Sequence, residues 1–391
     1  MPDPIRILFV GELHSSHAQS WIRLLLSSGQ FIAQGVSLAA MPDTVDIFVR
    51  RGAPAGSSLA MRCFRRLLRI RYKTWADSIR PVYAYGTPEV EFHGLVKSLR
   101  QFNPQIVHTF GFTPAALLYE SLPESWRKGR RWVLQTRGGS DVAYTHKDPV
   151  WQELFHRLLP QASVVLCDNL ENYRIFDAMG ISYHRSSLLP FVPGTGGIDL
   201  DAFVPLLPWE KRENLLVWPK AYESPWSKAL PVLEGLRLAW DVIAPVRCVF
   251  AAADKEVRDH VRLLPDAMQH NISIMERIPR EDMLYLLRQA KVLLAPSLVD
   301  GIPNSLYEAM AAGVVPVVSP LDSIRPHFAE EENVFYAHNL YPEEIARAIT
   351  RAFAPQGKES ILRANREKVA IIADRSVITS KVVALYSGLV S

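Results

Sequence analysis

Short runs of consecutive apolar residues alternate along this chain with longer stretches whose apolar positions recur every three or four residues. The run at 6–10 (Arg6, Ile7, Leu8, Phe9, Val10), closed by Gly11, has the nearly unbroken apolar character of a strand buried on both faces. Residues 18–28 place Trp21, Leu24, Leu25 and Ser28 at helical spacing, and Gly29 then stops the pattern. Further strand-like runs lie at 46–49, 105–109, 132–136 and 163–167, with helical patterns between several of them. This alternation predicts βαβ units and a parallel, doubly wound sheet. A Pro- and Gly-rich stretch at 190–208 reads as an interdomain connection. The alternation then restarts, with strands at 215–218, 246–251, 292–295 and 314–318 and an amphipathic helix at 230–243. Residues 359–390 read as mostly helical. The expected fold class is α/β, with two Rossmann-like, doubly wound halves of similar size and a cleft between them.

Composition narrows this picture without redirecting it. A chain of 391 residues suggests two or three domains at about 150 residues each. With 48% hydrophobic and 21% charged residues, disorder is not indicated. A net charge of +4 is too small to imply a nucleic-acid partner. Cys63, Cys167 and Cys248 form no CxxC pair and no His–Cys spacing, so reduced structural thiols are expected and a metal is not. The N-terminus lacks a basic segment followed by a long apolar one, and no uncharged run approaches the roughly 20 residues that span a bilayer. A cytoplasmic protein is expected. One stretch is lopsided: residues 50–73 carry eight basic side chains and no acidic one. There Met61, Phe64, Leu67, Leu68 and Tyr72 fall at helical spacing among the arginines, the pattern of a basic amphipathic helix on an anionic membrane surface. An ordinary surface helix with solvated arginines would read the same way.

Residues 295–319 carry the candidate chemistry, laid out as strand, loop, helix, glycine, strand. Asp300 and Gly301 lie in the loop. Pro303 suits the start of a helix, where its missing N–H is not needed. A helix N-terminus offers unpaired N–H groups and a positive dipole end, a natural place for a diphosphate. Ligands of open α/β sheets bind beyond the carboxyl ends of strands, so Asp300 and Glu308 could take sugar and ribose hydroxyls. Two plainer readings stand beside this one. Ser305 and Glu308 fit a capping box, and Asp300–Gly301 fits a turn.

The whole stretch, Asp300-Gly301-Ile302-Pro303-Asn304-Ser305-Leu306-Tyr307-Glu308-Ala309-Met310-Ala311-Ala312-Gly313 onward, resembles glycosyltransferase family 4, the retaining enzymes of the GT-B fold. That family's signature is an acid, seven intervening residues and a glutamate. Here the first position is Asp300, one methylene shorter than the usual Glu. The resemblance implies that Asp300 and Glu308 serve catalysis, and that Gly301, Ile302, Pro303, Asn304, Ser305, Leu306 and Glu308 line the donor site. Lys220, after the strand at 215–218, and Lys228, at the start of the next helix, are similar to the family's diphosphate-binding cations, with Lys228 also catalytic. Gly11 would face the donor across the cleft. His14, His17, Gly139, Ser140 and Asp141 are placed on the acceptor side by the same resemblance, His17 with a catalytic role. The histidine that many members carry before the Gly-Ser-Asp loop is replaced here by Arg137 and Gly138, and His108 is its weak substitute. Gly197-Ile198-Asp199 with Phe203 is similar to the family's hinge, setting an acceptor-binding domain at 1–200, a nucleotide-sugar domain at 201–372 and a C-terminal helix at 373–391 packing back on the first.

The implied activity is transfer from a nucleoside diphosphate sugar to an acceptor hydroxyl, with retention and without a metal or other cofactor. The acceptor is expected to be a saccharide or a lipid-linked molecule of bacterial surface polysaccharide, lipopolysaccharide or glycolipid synthesis. A sugar-nucleotide epimerase or a phosphorylase of the same fold, and a non-catalytic sugar-nucleotide-binding protein, are the alternatives.

Overall fold

A computed structural model of the chain describes residues 3–38, 88–276 and 278–391. It divides into two compact units. The first comprises Met1–Arg137, Thr145–Gly196 and Val377–Ser391; the second comprises Gly138–Tyr144 and Gly197–Ser376. The expected strand at 46–49 and the basic helix at 50–73 lie outside the described residues.

The first unit is built on a parallel sheet in the order β2-β1-β3-β4-β5, where β1 is Ile5–Gly11, β2 Phe31–Ser37, β3 Ile106–Phe110, β4 Arg131–Gln135 and β5 Val164–Leu166. Parallel strands are covered on both faces, which is why β1 is apolar and buried from Ile7 to Val10 and β3 is buried along its whole length, His108 and Thr109 included. Helix α1 (Ser16–Leu26) is started by Ser15, whose hydroxyl accepts from the Ala18 N–H, and buries Ala18, Trp21, Ile22, Leu24 and Leu25. Helix α2 (Pro88–Phe102) leads into β3. Helices α3 (Pro149–Leu158) and α4 (Leu170–Ala178) flank β5, each begun by a side-chain cap, Asp148 and Asn169.

The second unit carries a six-stranded parallel sheet in the order β11-β10-β9-β6-β7-β8. Its strands are β6 (Glu213–Trp218), β7 (Arg247–Ala251), β8 (Ile272–Met275), β9 (Ala290–Ala295), β10 (Val315–Val318) and β11 (Phe335–Tyr336). Counted from its own first strand the order is 3-2-1-4-5-6, the dinucleotide-binding arrangement, and it reverses between β6 and β9. Helix α5 (Ala229–Ile243) follows β6, α6 (Arg280–Gln289) precedes β9, and α7 (Asn304–Ala312) joins β9 to β10. Helix α8 (Pro342–Phe353) packs on α5 so closely that a Cβ at Gly235 would come within 2.6 Å of Ile345. The long helix α9 (Lys358–Ala373) packs on α7.

After α9, Ile198 and Asp374 form an isolated parallel bridge where the chain enters and leaves the second unit. Helix α10 (Arg375–Gly388) then buries Ile378, Val382 and Tyr386 in the core of the first. The Tyr386 hydroxyl is hydrogen-bonded to His108 Nδ1 and accepts from Trp21 Nε1 at 3.3 Å. Both described cysteines, Cys167 and Cys248, are buried free thiols whose pKa burial pushes up, for Cys248 to about 12. Among the described residues no helix is long and apolar enough to cross a membrane.

Candidate functional site

In a doubly wound sheet the strand-order reversal leaves an opening beyond the carboxyl ends of the two strands that flank it. In the second unit these are β6 and β9. Lys220 stands two residues after β6 and Asp300 five residues after β9, and the two meet: Lys220 Nζ donates to Asp300 Oδ2 at 2.6 Å. The cation is roughly half-exposed and the carboxylate mostly covered. Asp300 also accepts from its neighbour's N–H, Gly301, at 2.9 Å through Oδ1, and its carbonyl accepts from Ser323 Oγ at 2.8 Å. The turn reading of Asp300–Gly301 is therefore geometrically real and coexists with the ion pair. Ile302 is buried and anchors the loop.

Helix α7 starts with Pro303 as its cap residue and Asn304 as its first helical residue. Pro303 provides no side-chain cap; its carbonyl accepts from the N–H groups of Leu306 and Tyr307, and the helix presents the positive end of its dipole there. Ser305 Oγ is buried there without a hydrogen-bond partner. Glu308 does not close a capping box, because Ser305 lies inside the helix rather than at its cap. Its Oε1 instead pairs with Arg280 Nη2 at 2.8 Å. Burial pushes the Glu308 carboxyl above the usual carboxylate range, against the pull of Arg280. The far end of α7 is tightly held: Gly313 closes it in the left-handed conformation, and Arg212 and Arg366 donate to the Ala312 and Ala311 carbonyls. The helix is thus fixed at its C-terminus by side-chain donors.

Lys228 is the cap residue of α5. Its Nζ pairs with Glu223 Oε1 at 2.6 Å, and the same carboxylate accepts from the Ala229 N–H at 2.8 Å through Oε2. Asn339 brackets the Lys228 backbone, accepting from its N–H at 2.8 Å and donating to its carbonyl at 3.1 Å. Glu223, Asn339 and Arg280 escaped the sequence reading. Glu223 lies in the loop between Lys220 and Lys228, and Asn339 and Arg280 reach the site only through long-range packing, so none belongs to a local pattern.

The Gly138–Asp141 segment forms one helical turn and belongs to the second unit, although it follows β4 of the first. Gly139 is buried against the loop of Asp300, where an added Cβ would fall 2.6–2.8 Å from the Asp300 backbone. Only glycine fits, and the Gly139, Ser140 and Asp141 segment is brought beside Asp300 within the second unit. In that unit Gly11 ends β1 with a φ of +149° and its carbonyl accepts from the N–H groups of Leu13 and Leu38. His14 and His17 follow and are exposed, with His17 in the first turn of α1. Arg137, which stands where a histidine was sought, pairs with Glu12 at 3.0 Å. His108 requires a correction. It is fully buried among Phe9, Trp21, Phe110 and Tyr386, and burial lowers its pKa to about 3. A neutral ring with no exposed surface cannot touch an acceptor; His108 is a core residue. Among the described residues no group of three or more His, Cys, Asp or Glu side chains is arranged to hold a metal ion.

Comparison with known proteins agrees with this geometry. Residues 231–354 match the model of the family described as glycosyl transferases group 1, a span that includes Arg280, Asp300 and Glu308 but neither lysine. No curated protein matches the chain. Over its full length the fold is that of the GT-B glycosyltransferases. A glycosyltransferase from Rickettsia africae is similar at 14% identity, with a TM-score of 0.69 over 100% of this chain and 99% of that one. Sucrose-phosphate synthase from Thermosynechococcus elongatus is similar at 14% identity, with a TM-score of 0.71 over 98% and 99%. Anabaena HepE in complex with UDP-glucose is similar at 12% identity, with a TM-score of 0.69 over 98% and 100%. Residues 231–354 of the second unit are thus similar to the group 1 glycosyltransferases, within a GT-B fold.

Proposed function

We propose that the chain transfers a glycosyl group from a nucleoside diphosphate sugar to an acceptor hydroxyl, with retention of anomeric configuration. The observation that carries this reading is the Lys220–Asp300 pair at the strand-order reversal of the second sheet, directly ahead of the N-terminus of α7 and of Glu308. The match to group 1 glycosyltransferases supports it, as does the UDP-glucose bound by a protein of the same fold.

Each charged group of the site has a counter-charge within the protein: Lys220 with Asp300, Lys228 with Glu223, Glu308 with Arg280. Binding of the donor exchanges these partners. The diphosphate takes Lys220, Lys228 and the N–H groups leading α7, which stabilise the negative charge that grows as the sugar departs. Asp300, released by Lys220, accepts from a sugar hydroxyl. Glu308 accepts from the ribose hydroxyls. Two cations and a helix dipole supply the neutralisation, so the activity survives chelation. His14 and His17 serve the acceptor in the first unit. The acceptor is a saccharide or lipid-linked molecule of a bacterial surface glycan or glycolipid, brought to an anionic membrane by residues 50–73.

The test is thermal-shift screening against UDP-, GDP-, ADP- and CMP-sugars, followed by titration of Glu308→Gln with the sugar nucleotide that binds. A ligand at 100 times its Kd stabilises by about 2.7 kcal/mol. The Gln variant should weaken donor binding by about 1.5–3 kcal/mol with the melting temperature of the free protein unchanged. Undiminished affinity would remove Glu308 from the site. Release of nucleoside diphosphate without any acceptor would favour epimerase-type chemistry.

A further inference from the structure

We infer that Arg280 is a positioning residue of the nucleotide subsite, fixing the charge and direction of the Glu308 carboxylate that receives the ribose. The inference rests on the proposed role of Glu308 and goes beyond it. Arg280 opens α6 immediately after Pro279, with Glu281 and Asp282 completing the first turn. A cation at that position works against the helix dipole, whose positive end it joins, while the two acids that follow favour it. The arginine thus stands where its own helix does not call for it. Its guanidinium reaches across to α7 and holds Glu308 at 2.8 Å, half-exposed itself while the carboxylate is largely enclosed.

Glu308 has few other sources of charge. The arginines Arg212 and Arg366, which also touch α7, are engaged with carbonyls at its far end. The strands β9 and β10 present apolar residues to the helix. Tyr307, beside Glu308 in the chain, is fully buried. Burial alone favours the neutral acid, and Arg280 is the one charge opposing it among the described residues. A protonated Glu308 would lose part of its strength as an acceptor of ribose hydroxyls and could rotate away from them. Removing Arg280 should raise the Glu308 pKa further, so donor affinity would be lost as pH falls through that higher value and kept at higher pH.

The experiment is isothermal titration of the full chain with UDP, ADP and GDP from pH 5.5 to 8.5, continued with the diphosphate that binds best. Wild type, Arg280→Gln, Arg280→Lys, Glu308→Gln and the Arg280→Gln/Glu308→Gln double variant are compared, each checked by its melting curve. Wild-type affinity should be flat over the range. Arg280→Gln should bind about threefold more weakly at the acid end and approach wild type at the alkaline end, as expected for a carboxyl pKa moved up by about one. Arg280→Lys, which keeps the charge without the fork, should recover much of the loss. Because Arg280 acts through Glu308, its substitution should add nothing in the Glu308→Gln background. Additive losses would mean that Arg280 touches the nucleotide itself, and a pH-independent loss or none would mean a structural pair; each overturns the inference. Failure of wild type to bind any of the three, or full affinity in Glu308→Gln, would instead overturn the reading of the site on which it rests.

Discussion

At the scale of single residues, the site is a set of ion pairs that a ligand must open, and Glu223 is the member most at odds with binding. It places a carboxylate on Lys228 Nζ and on the Ala229 N–H at the start of α5, while its own N–H is held by Asp254 Oδ2 at 2.8 Å. That is where a phosphate oxygen would draw on the same cation and the same dipole. Glu223→Gln retains a carbonyl oxygen for the Ala229 N–H but gives up the charge on Lys228. Nucleoside diphosphate affinity should therefore rise, by roughly three- to tenfold given the modest strength of half-exposed pairs, whereas Lys228→Gln should lower it. Titration of both variants decides the matter: a Glu223→Gln protein that binds no better has a carboxylate serving only as a helix cap. The contrast in legibility belongs to the same scale. Glu308, Asp300 and Gly139 stand in local runs whose residue types are fixed by a helix start or a close approach, so the sequence exposes them. Glu223, Arg280 and Asn339 act through contacts across 6, 28 and 111 positions, counted from Ala229, Glu308 and Lys228 respectively, and carry no such local mark. His108 misled for the opposite reason. A histidine near a strand end looks chemical until the packing of Phe9, Trp21 and Tyr386 around it is known.

At the scale of elements, the strands legible in the sequence are mostly the central ones, buried on both faces and hence predominantly apolar. The three described strands that were overlooked, β2, β8 and β11, all lie at sheet edges. In β2 the run is broken by Gln34 and Gly35; β8 buries only alternate positions incompletely; β11 has two residues. Edge strands need less apolar surface and so announce themselves less. The loop between β4 and α3 shows a different kind of element-level constraint. Its Gly138–Asp141 turn packs on the Asp300 loop with no room for a side chain at Gly139, so the two loops hold each other in place. Gly139→Ala must push that backbone apart. The expected result is a loss of about 1–3 kcal/mol in stability, the usual range for overpacking, together with a drop in donor affinity, since Asp300 moves. Chemical denaturation and donor titration of the variant measure both. Unchanged affinity in a destabilised protein would confine Gly139 to structure.

At the scale of the whole molecule, the division into two Rossmann-like units was readable because alternation stops at a Pro/Gly-rich stretch and starts again. The return of α10 to the first unit was expected from the family resemblance alone, and the transfer of Gly138–Tyr144 to the second was not expected, since neither leaves a break in the periodicity. Charge distribution is the remaining whole-molecule property, and it is uneven. Of a net +4 across 391 residues, the 24 residues at 50–73 contribute eight positive charges and no negative ones, so the rest of the chain is net acidic. A uniformly basic protein would bind polyanions anywhere on its surface; this one should bind an anionic surface through a single segment. Each basic residue near a membrane rich in anionic lipid contributes about 1 kcal/mol, which makes a group of them adequate for reversible attachment. The attraction is screened as salt shortens the Debye length from about 10 Å at 0.1 M to about 3 Å at 1 M. Co-sedimentation with phosphatidylcholine vesicles containing phosphatidylglycerol should recover the protein at low salt and release it at high salt, and phosphatidylcholine alone should recover little. Replacing Arg62, Arg65, Arg66 and Arg69 with Gln should abolish recovery while leaving nucleotide-sugar binding intact, because the proposed donor site is made of residues of the second unit. Equal recovery on neutral and anionic vesicles, or none lost in the fourfold variant, would leave a soluble saccharide as the acceptor to pursue.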